Sequence, residues 1–227
     1  MFKGKEFGFA CFLVMVFCFS FISKGQSIDY GLKIGLNVSN QADKFQYSGN
    51  TYTPESAFGY QVGGIIRTDL NNSLRAAFEP SLIKLGANYT ESISLQGQEA
   101  ESHSRTDLWY LHLPLLIQHH KQETTSDLSF NFSAGLFGEY LLNAKFKGEN
   151  IVNDTVNRFS EDIINQFSKY DAGVIYGMGV EWNEKIGLET RFQYTFLQSY
   201  QGEPQFKPKN FAFKLSISLY PKLIANI

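Results

Sequence analysis

Apolar and polar residues alternate with a period of two in eight separate runs of this 227-residue chain. Successive side chains on an extended backbone point to opposite sides, so each run predicts a β-strand with two unlike faces. In the first run Tyr30, Leu32, Ile34, Leu36 and Val38 share one face, and Gly31, Lys33, Gly35, Asn37 and Ser39 share the other. The same split recurs over residues 58–67, 74–82, 109–118, 128–140, 171–182, 186–196 and 211–219. No helical pattern separates the runs, which predicts an all-β, antiparallel sheet rather than one built from crossover units.

Two architectures use such strands, and they differ in which face is inside. A sandwich or a soluble, lipocalin-like barrel buries the large apolar face, whereas a transmembrane barrel turns it to lipid and closes the polar face inward. Three features favour the membrane barrel. The polar face is rich in small residues and carries charges of both signs, which can pair across a narrow interior: Lys33, Arg67, Arg75, Glu79, Glu139, Asp171, Glu181, Glu189, Arg191 and Lys214. Aromatic residues gather near the run ends, at Tyr30, Trp109, Tyr110, Tyr140, Tyr170, Trp182, Tyr194, Phe196, Phe211 and Tyr220, as in the girdles at membrane interfaces. Long connections (40–57, 87–107, 143–169, 197–210) alternate with short ones (68–73, 119–127, 183–185), as outer loops alternate with periplasmic turns. Together they predict an eight-stranded antiparallel up-and-down transmembrane β-barrel over residues 26–220. A short periplasmic tail, 221–227, would follow it.

Residues 1–25 read as a cleaved signal peptide. Lys3 and Lys5 precede an apolar stretch from Phe7 to Ile22, and Ser23 and Gly25 supply the small residues of a cleavage site. Both cysteines, Cys11 and Cys18, fall inside that stretch, so the exported chain has no disulfide framework. The mean hydropathy of −0.20 argues against a bundle of membrane helices. A formal charge of −2, more negative once the basic leader is removed, argues against nucleic acid as a partner. The expected partners are outer-membrane lipids and, during biogenesis, the barrel assembly machinery. No cofactor or metal motif is evident.

Several segments resemble the PorT-like outer-membrane β-barrel family of Gram-negative bacteria. Residues 30–40 resemble its opening Gly-x-Lys-x-Gly-Leu-Asn-x-Ser strand, and Phe78-Glu79-Pro80-Ser81-Leu82 its Gln-Pro-Glu-Leu strand. Tyr110, Leu111, Leu113, Pro114 and Leu115 fall in a stretch similar to its Tyr-Leu-Glu-Ile-Pro-Leu-Leu signature, with His112 where the family has Glu. Residues 133–138 and 177–181 match later strands. The resemblance implies fold and location, an integral outer-membrane barrel, and no reaction; the function expected for the chain is a non-enzymatic structural or interaction role carried by its outer loops. One member is linked to protein secretion, which makes an accessory part in an envelope secretion complex the alternative expectation. A small barrel enzyme acting on lipid or peptide is the third.

Four further features bear on function. Ser102, His103 and Asp107 sit together in the expected 87–107 loop, but spacing alone does not make a catalytic triad. His112 is expected on the inner face, hydrogen-bonded within the charge network. His119 and His120 are adjacent on opposite faces of a strand end, which disfavours a shared metal. In residues 157–167, Phe159, Ile163, Ile164 and Phe167 recur at helical spacing, predicting a short amphipathic helix folded back onto the barrel rim.

Overall fold

The computed structural model describes residues 28–41, 45–47, 50–95, 98–122, 127–152, 155–196 and 210–221. The signal peptide expected at 1–25 and the tail beyond Pro221 lie outside them. Among the described residues twelve strands follow one another: β1 (Ile28–Gln41), β2 (Phe45–Tyr47), β3 (Asn50–Tyr52), β4 (Glu55–Asp69), β5 (Leu74–Phe78), β6 (Ser81–Leu95), β7 (Gln98–Gln122), β8 (Leu128–Val152), β9 (Thr155–Asp162), β10 (Tyr170–Trp182), β11 (Ile186–Thr195) and β12 (Asn210–Leu219). Strands β2 and β3 form a separate hairpin, and the other ten make one antiparallel sheet. Its order is β5-β7-β6-β4-β1-β12-β11-β10-β8-β9, and β7–β8 and β4–β5 pairing carries it back on itself. Among the described residues no helix is long and apolar enough to cross a membrane.

Two of the ten strands arise from local breaks. Strands β5 and β6 keep one register on β7 across Glu79 and Pro80: Phe78 is opposite Leu115, and Ser81 is opposite His112. That register places Pro114 of β7 opposite Glu79, so two prolines, each without an N–H, fall at one weak point of the ladder. The Glu79 N–H still reaches the Pro114 carbonyl at 3.2 Å, and Gly64 donates to the Pro80 carbonyl at 2.9 Å. Strands β9 and β10 pair with the upper and lower parts of β8, and the chain between them buckles through a 3-10 turn at Ile164–Gln166.

Of the long connections expected from the sequence, 40–57, 87–107 and 143–169 are largely strand where described, and 197–209 lies outside the described residues. The 40–57 segment contains the β2–β3 hairpin, and β6 pairs with β7 up to Leu95 and Gln98. Strand β8 runs on to Val152 and turns back as β9. The helix expected over 157–167 is therefore strand β9 followed by the 3-10 turn. Its apolar residues suit either period over so short a stretch, and the unpaired edge of the extended β8 decides for a strand by offering backbone partners. As expected, the segment does fold back: Ile163 and Phe167 are buried and Phe159 and Ile164 pack against them.

Burial is inverted relative to a water-soluble protein. Large apolar side chains stand outward along β1, β4, β8, β10 and β12, with Leu36 65% and Phe58 79% exposed, while polar and charged side chains fill the inside. At the upper end, where β6, β7 and β8 extend, the inner face becomes apolar. Ile83, Leu85, Tyr89, Leu108, Tyr110 and Phe146 form a buried cluster there. Tyr110 and Tyr220, expected in the outer aromatic girdle, are instead buried. Tyr110 is one residue out of phase with Trp109, so it takes the inner face of β7. Tyr220 follows the last strand residue and turns in over the Arg67 guanidinium, whose carbon is 3.6 Å from the ring centroid.

Candidate functional site

The inner faces of the strands bring together charges widely separated in sequence. All ten charged residues singled out on the polar face are buried: five basic (Lys33, Arg67, Arg75, Arg191, Lys214) and five acidic (Glu79, Glu139, Asp171, Glu181, Glu189). They are arranged in tiers.

Near Ile28 of β1 and Leu219 of β12, Glu181 of β10 bridges two guanidiniums. Its carboxylate accepts from Arg67 at 2.8 Å and from Arg75 at 3.0 Å. Arg75 also donates to Asp69 at 2.7 Å, and Arg67 reaches Asp29 at 3.4 Å. One tier up, Glu79 receives Lys33 at 2.5 Å and both terminal nitrogens of Arg191 at 2.5 and 2.9 Å. Glu189 closes this tier, with Lys33 at 2.6 Å and Arg191 at 2.8 Å. The two acids and two bases come from β1, β11 and the β5–β6 break. Alternation carries on through the β5–β6 break and places Glu79 at the centre of a four-membered cluster.

The third tier holds His112, Glu139 and Lys214. His112 Nδ1 lies 2.7 Å from Glu139, and its Nε2 lies 3.0 Å from the Lys214 amine. Gln193 donates to Glu139 at 3.3 Å, and the Phe137 ring lies 4.9 Å from the imidazole. Asp171 is buried beside them and accepts the Ala172 N–H at 2.8 Å.

Above this tier neutral polar groups take over. Tyr89 donates to Gln41 at 2.7 Å, Ser39 donates to the Gly86 carbonyl at 2.9 Å, and Thr195 donates to the Asn210 carbonyl at 3.1 Å. Of the buried polar residues, Ser39, Gln61, Asn131, Gln193 and Thr195 fall on the polar faces expected from alternation, whereas Gln41, Tyr89 and Asn210 lie in stretches expected to be long connections.

The tiers leave little room. A cavity of about 10 Å³, lined in part by Lys33, Glu79, His112, Arg191 and Lys214, could hold one water at most. Glycines on the inner face help to keep it tight: a Cβ on Gly135 would overlap the Leu115 carbonyl oxygen. Chemically, such an arrangement neutralises charge within a narrow, water-poor interior and ties β1, β4, β5, β7, β8, β10, β11 and β12 to one another. It offers no clear path along the axis.

The other candidates are not brought together. The segment from Ser102 to Asp107 is part of β7 rather than a solvated loop, paired with β6 and β8. Ser102, Ser104 and Thr106 are buried on its inner face, while Asp107 points outward to Lys84, Arg105 and Lys147. His119 is exposed and His120 is half-buried. No group of three potential metal ligands occurs among the described residues. In the motif strand, Tyr110 and Pro114 are buried inward, while Leu111, Leu113 and Leu115 alternate outward.

No curated protein matches the chain. Among solved structures, it is similar to the outer membrane protein OprG from Pseudomonas aeruginosa (11% identity, 86% of this chain, 97% of that one, TM-score 0.48). It is also similar to Neisserial surface protein A (11%, 86% and 99%, TM-score 0.40). A third is Ail, the attachment invasion locus protein of Yersinia pestis (12%, 86% and 99%, TM-score 0.39). The model of the outer membrane protein beta-barrel domain matches residues 23–201, most of the chain. With an antiparallel sheet that returns on itself, an apolar outside and a charged inside, this chain belongs to the outer membrane protein beta-barrel domain family.

Proposed function

We propose that the chain is an eight-stranded, up-and-down transmembrane barrel of the PorT-like type. Its interior is a structural plug, and its working surface is the set of tall hairpins at the end away from the termini. Counting β5 with β6 and β9 with β10 as single interrupted strands gives eight, an even number that leaves both termini on the periplasmic side. The observation that carries the reading is the filled interior. An eight-stranded barrel has just enough inside for side chains, and here balanced ion pairs and an apolar upper cluster occupy it. A pore function has little to work with. Catalysis has as little, because Ser102 and Asp107 lie on opposite faces of β7.

The role is therefore non-enzymatic and rests on contact. The hairpins β6–β7 and β8–β9 rise beyond the exposed apolar band and meet partners, neighbouring surfaces or lipids outside. Planar-bilayer conductance of the purified, folded chain tests the plugged interior. The expected trace is flat, and steady open-channel current would overturn it. Pull-down in mild detergent separates the two contact roles. A lone barrel is expected, whereas stable co-purification with envelope machinery would favour the accessory role in a secretion complex.

A further inference from the structure

The outward faces of β6, β7 and β8 carry a second charge cluster, separate from the interior. It centres on Asp107, whose neighbours across the ladder are Gly86 on β6 and Lys145 on β8. Lys84 and Arg105 lie 3.0 and 2.7 Å from one Asp107 oxygen, and Lys147 lies 3.3 Å from the other. Gly86 has no side chain to fill the space opposite Asp107, so the cations close in over it. Lys145 is exposed and makes no ion pair among the described residues, and its register partner on β9 is Asp162. Four cations thus face two acids, leaving an excess of positive charge.

The setting decides what such an excess is for. Immediately below lies Trp109, opposite Lys84 and Asn143, with its ring edge-on to Tyr60 at 5.4 Å. Below these begins the exposed apolar band, with Leu82, Leu142 and Ile117 outward. A bulge between Trp109 and Tyr110 pushes Leu142 out of register. Beside it opens a groove of about 370 Å³ lined by Leu82, Asp107, Trp109, Leu142, Asn143, Lys145 and Lys147. Its floor is apolar and aromatic and its upper wall is cationic, which is the order of groups along a lipid from acyl chain to phosphate. The groove lies on the side of the long hairpins, hence in the outer leaflet.

We propose that this groove binds the phosphate of an anionic lipid headgroup, with Lys145 and Lys147 taking the phosphate and Trp109 and Leu142 flanking the glycerol or sugar and the upper acyl chain. Asp107 holds Lys84 and Arg105 in place and positions Lys147 beside Lys145, so that the net positive charge of the cluster meets the ligand. The inference rests on the membrane-barrel reading above, and the test keeps the two apart.

The chain has two tryptophans, Trp109 and Trp182, which stand at opposite ends of the barrel wall. The full chain carrying Trp182→Phe is folded into phosphatidylcholine vesicles in which brominated phosphatidylglycerol or brominated phosphatidylcholine quenches Trp109. The expected result is a preference for the anionic lipid of about tenfold, falling to within about twofold in Lys145→Gln/Lys147→Gln. With Trp109→Phe instead, quenching of Trp182 should not change on that double substitution. Excess inorganic phosphate should leave the preference intact, and its collapse would point to free phosphate and overturn the lipid assignment. Equal quenching of Trp109 by both lipids overturns the site alone. Quenching of neither tryptophan by any brominated lipid takes the membrane reading down with it.

Discussion

Glu79 shows how a single side chain holds this interior. Its carboxylate faces both Lys33 and Arg191, and neither base can reach water. Glu79→Gln leaves two buried cations sharing only Glu189, and removing one partner of a buried ionic cluster costs about 3–5 kcal/mol. Urea titration of the folded chain in detergent, followed by the heat-modifiable band on a gel, should show that loss. Asp69→Asn is the contrast. Asp69 pairs with Arg75 from a position 44% exposed, where water and salt screen it, so its loss should cost under about 1 kcal/mol. If the two substitutions weigh the same, the interior is wetter than the distances imply. The residue-level pattern was largely legible in the sequence. Every charge placed on the polar face by alternation is buried. The partners were not legible, because Lys33 and Glu189 are 156 residues apart and nothing in either neighbourhood names the other.

At the scale of elements, the turns separate what is locally encoded from what is not. The β10–β11 turn holds Asn183 and Glu184 in the left-handed region, at φ 52° and 56°. Two successive positive φ angles suit the twist of a tight hairpin, and Asn is at home there while Glu is not. Glu184→Gly should raise stability by about 1 kcal/mol in the same urea assay, because glycine takes a positive φ without strain and the contact of the Glu184 carboxylate with Arg75 is long, at 3.9 Å. At the other end of the barrel, β9 and the 3-10 turn cap the interior through Ile163 and Phe167, packed into the cluster around Phe146. Phe146→Ala should cost about 3–5 kcal/mol. It should also expose the 153–169 segment to limited protease digestion while β10–β12 stay protected. That segment reads as helix by spacing and folds as strand because β8 extends past its neighbour β10. A sequence window contains Phe159, Ile163 and Phe167 but not the edge they meet.

For the whole molecule, the inverted burial sets the behaviour. The outside is apolar and the inside is paired, so the folded state suits lipid rather than water as its surroundings. Because the ion pairs are shielded from solvent, raising salt from low to about 1 M should shift the urea midpoint of the folded chain very little. A soluble fold held by surface pairs would respond more. Membrane fractionation with a heat-modifiability gel should place a folded, mobility-shifted band in the outer-membrane fraction. A band that stays in the soluble periplasmic fraction would sink the transmembrane architecture.

The sequence by itself settled the faces. Alternation with a period of two is a local property of an extended backbone, so Leu32 and Lys33, or Trp109 and Tyr110, are sorted to opposite sides whatever the rest of the chain does. Even there, nearness to a run end does not place a residue in the girdle: Tyr110 is buried by the phase of β7 and Tyr220 by its inward turn after β12. Only the tertiary structure decided which charges meet, how far β6, β7 and β8 extend, and that Pro80 and Pro114 fall at one point of the ladder. Pairing register is set by the closure of the sheet, in which every strand is positioned by two neighbours. The outward cluster around Asp107 shows this most plainly: its residues come from three strands, with Arg105 and Asp107 in one expected loop and Lys145 and Lys147 in another.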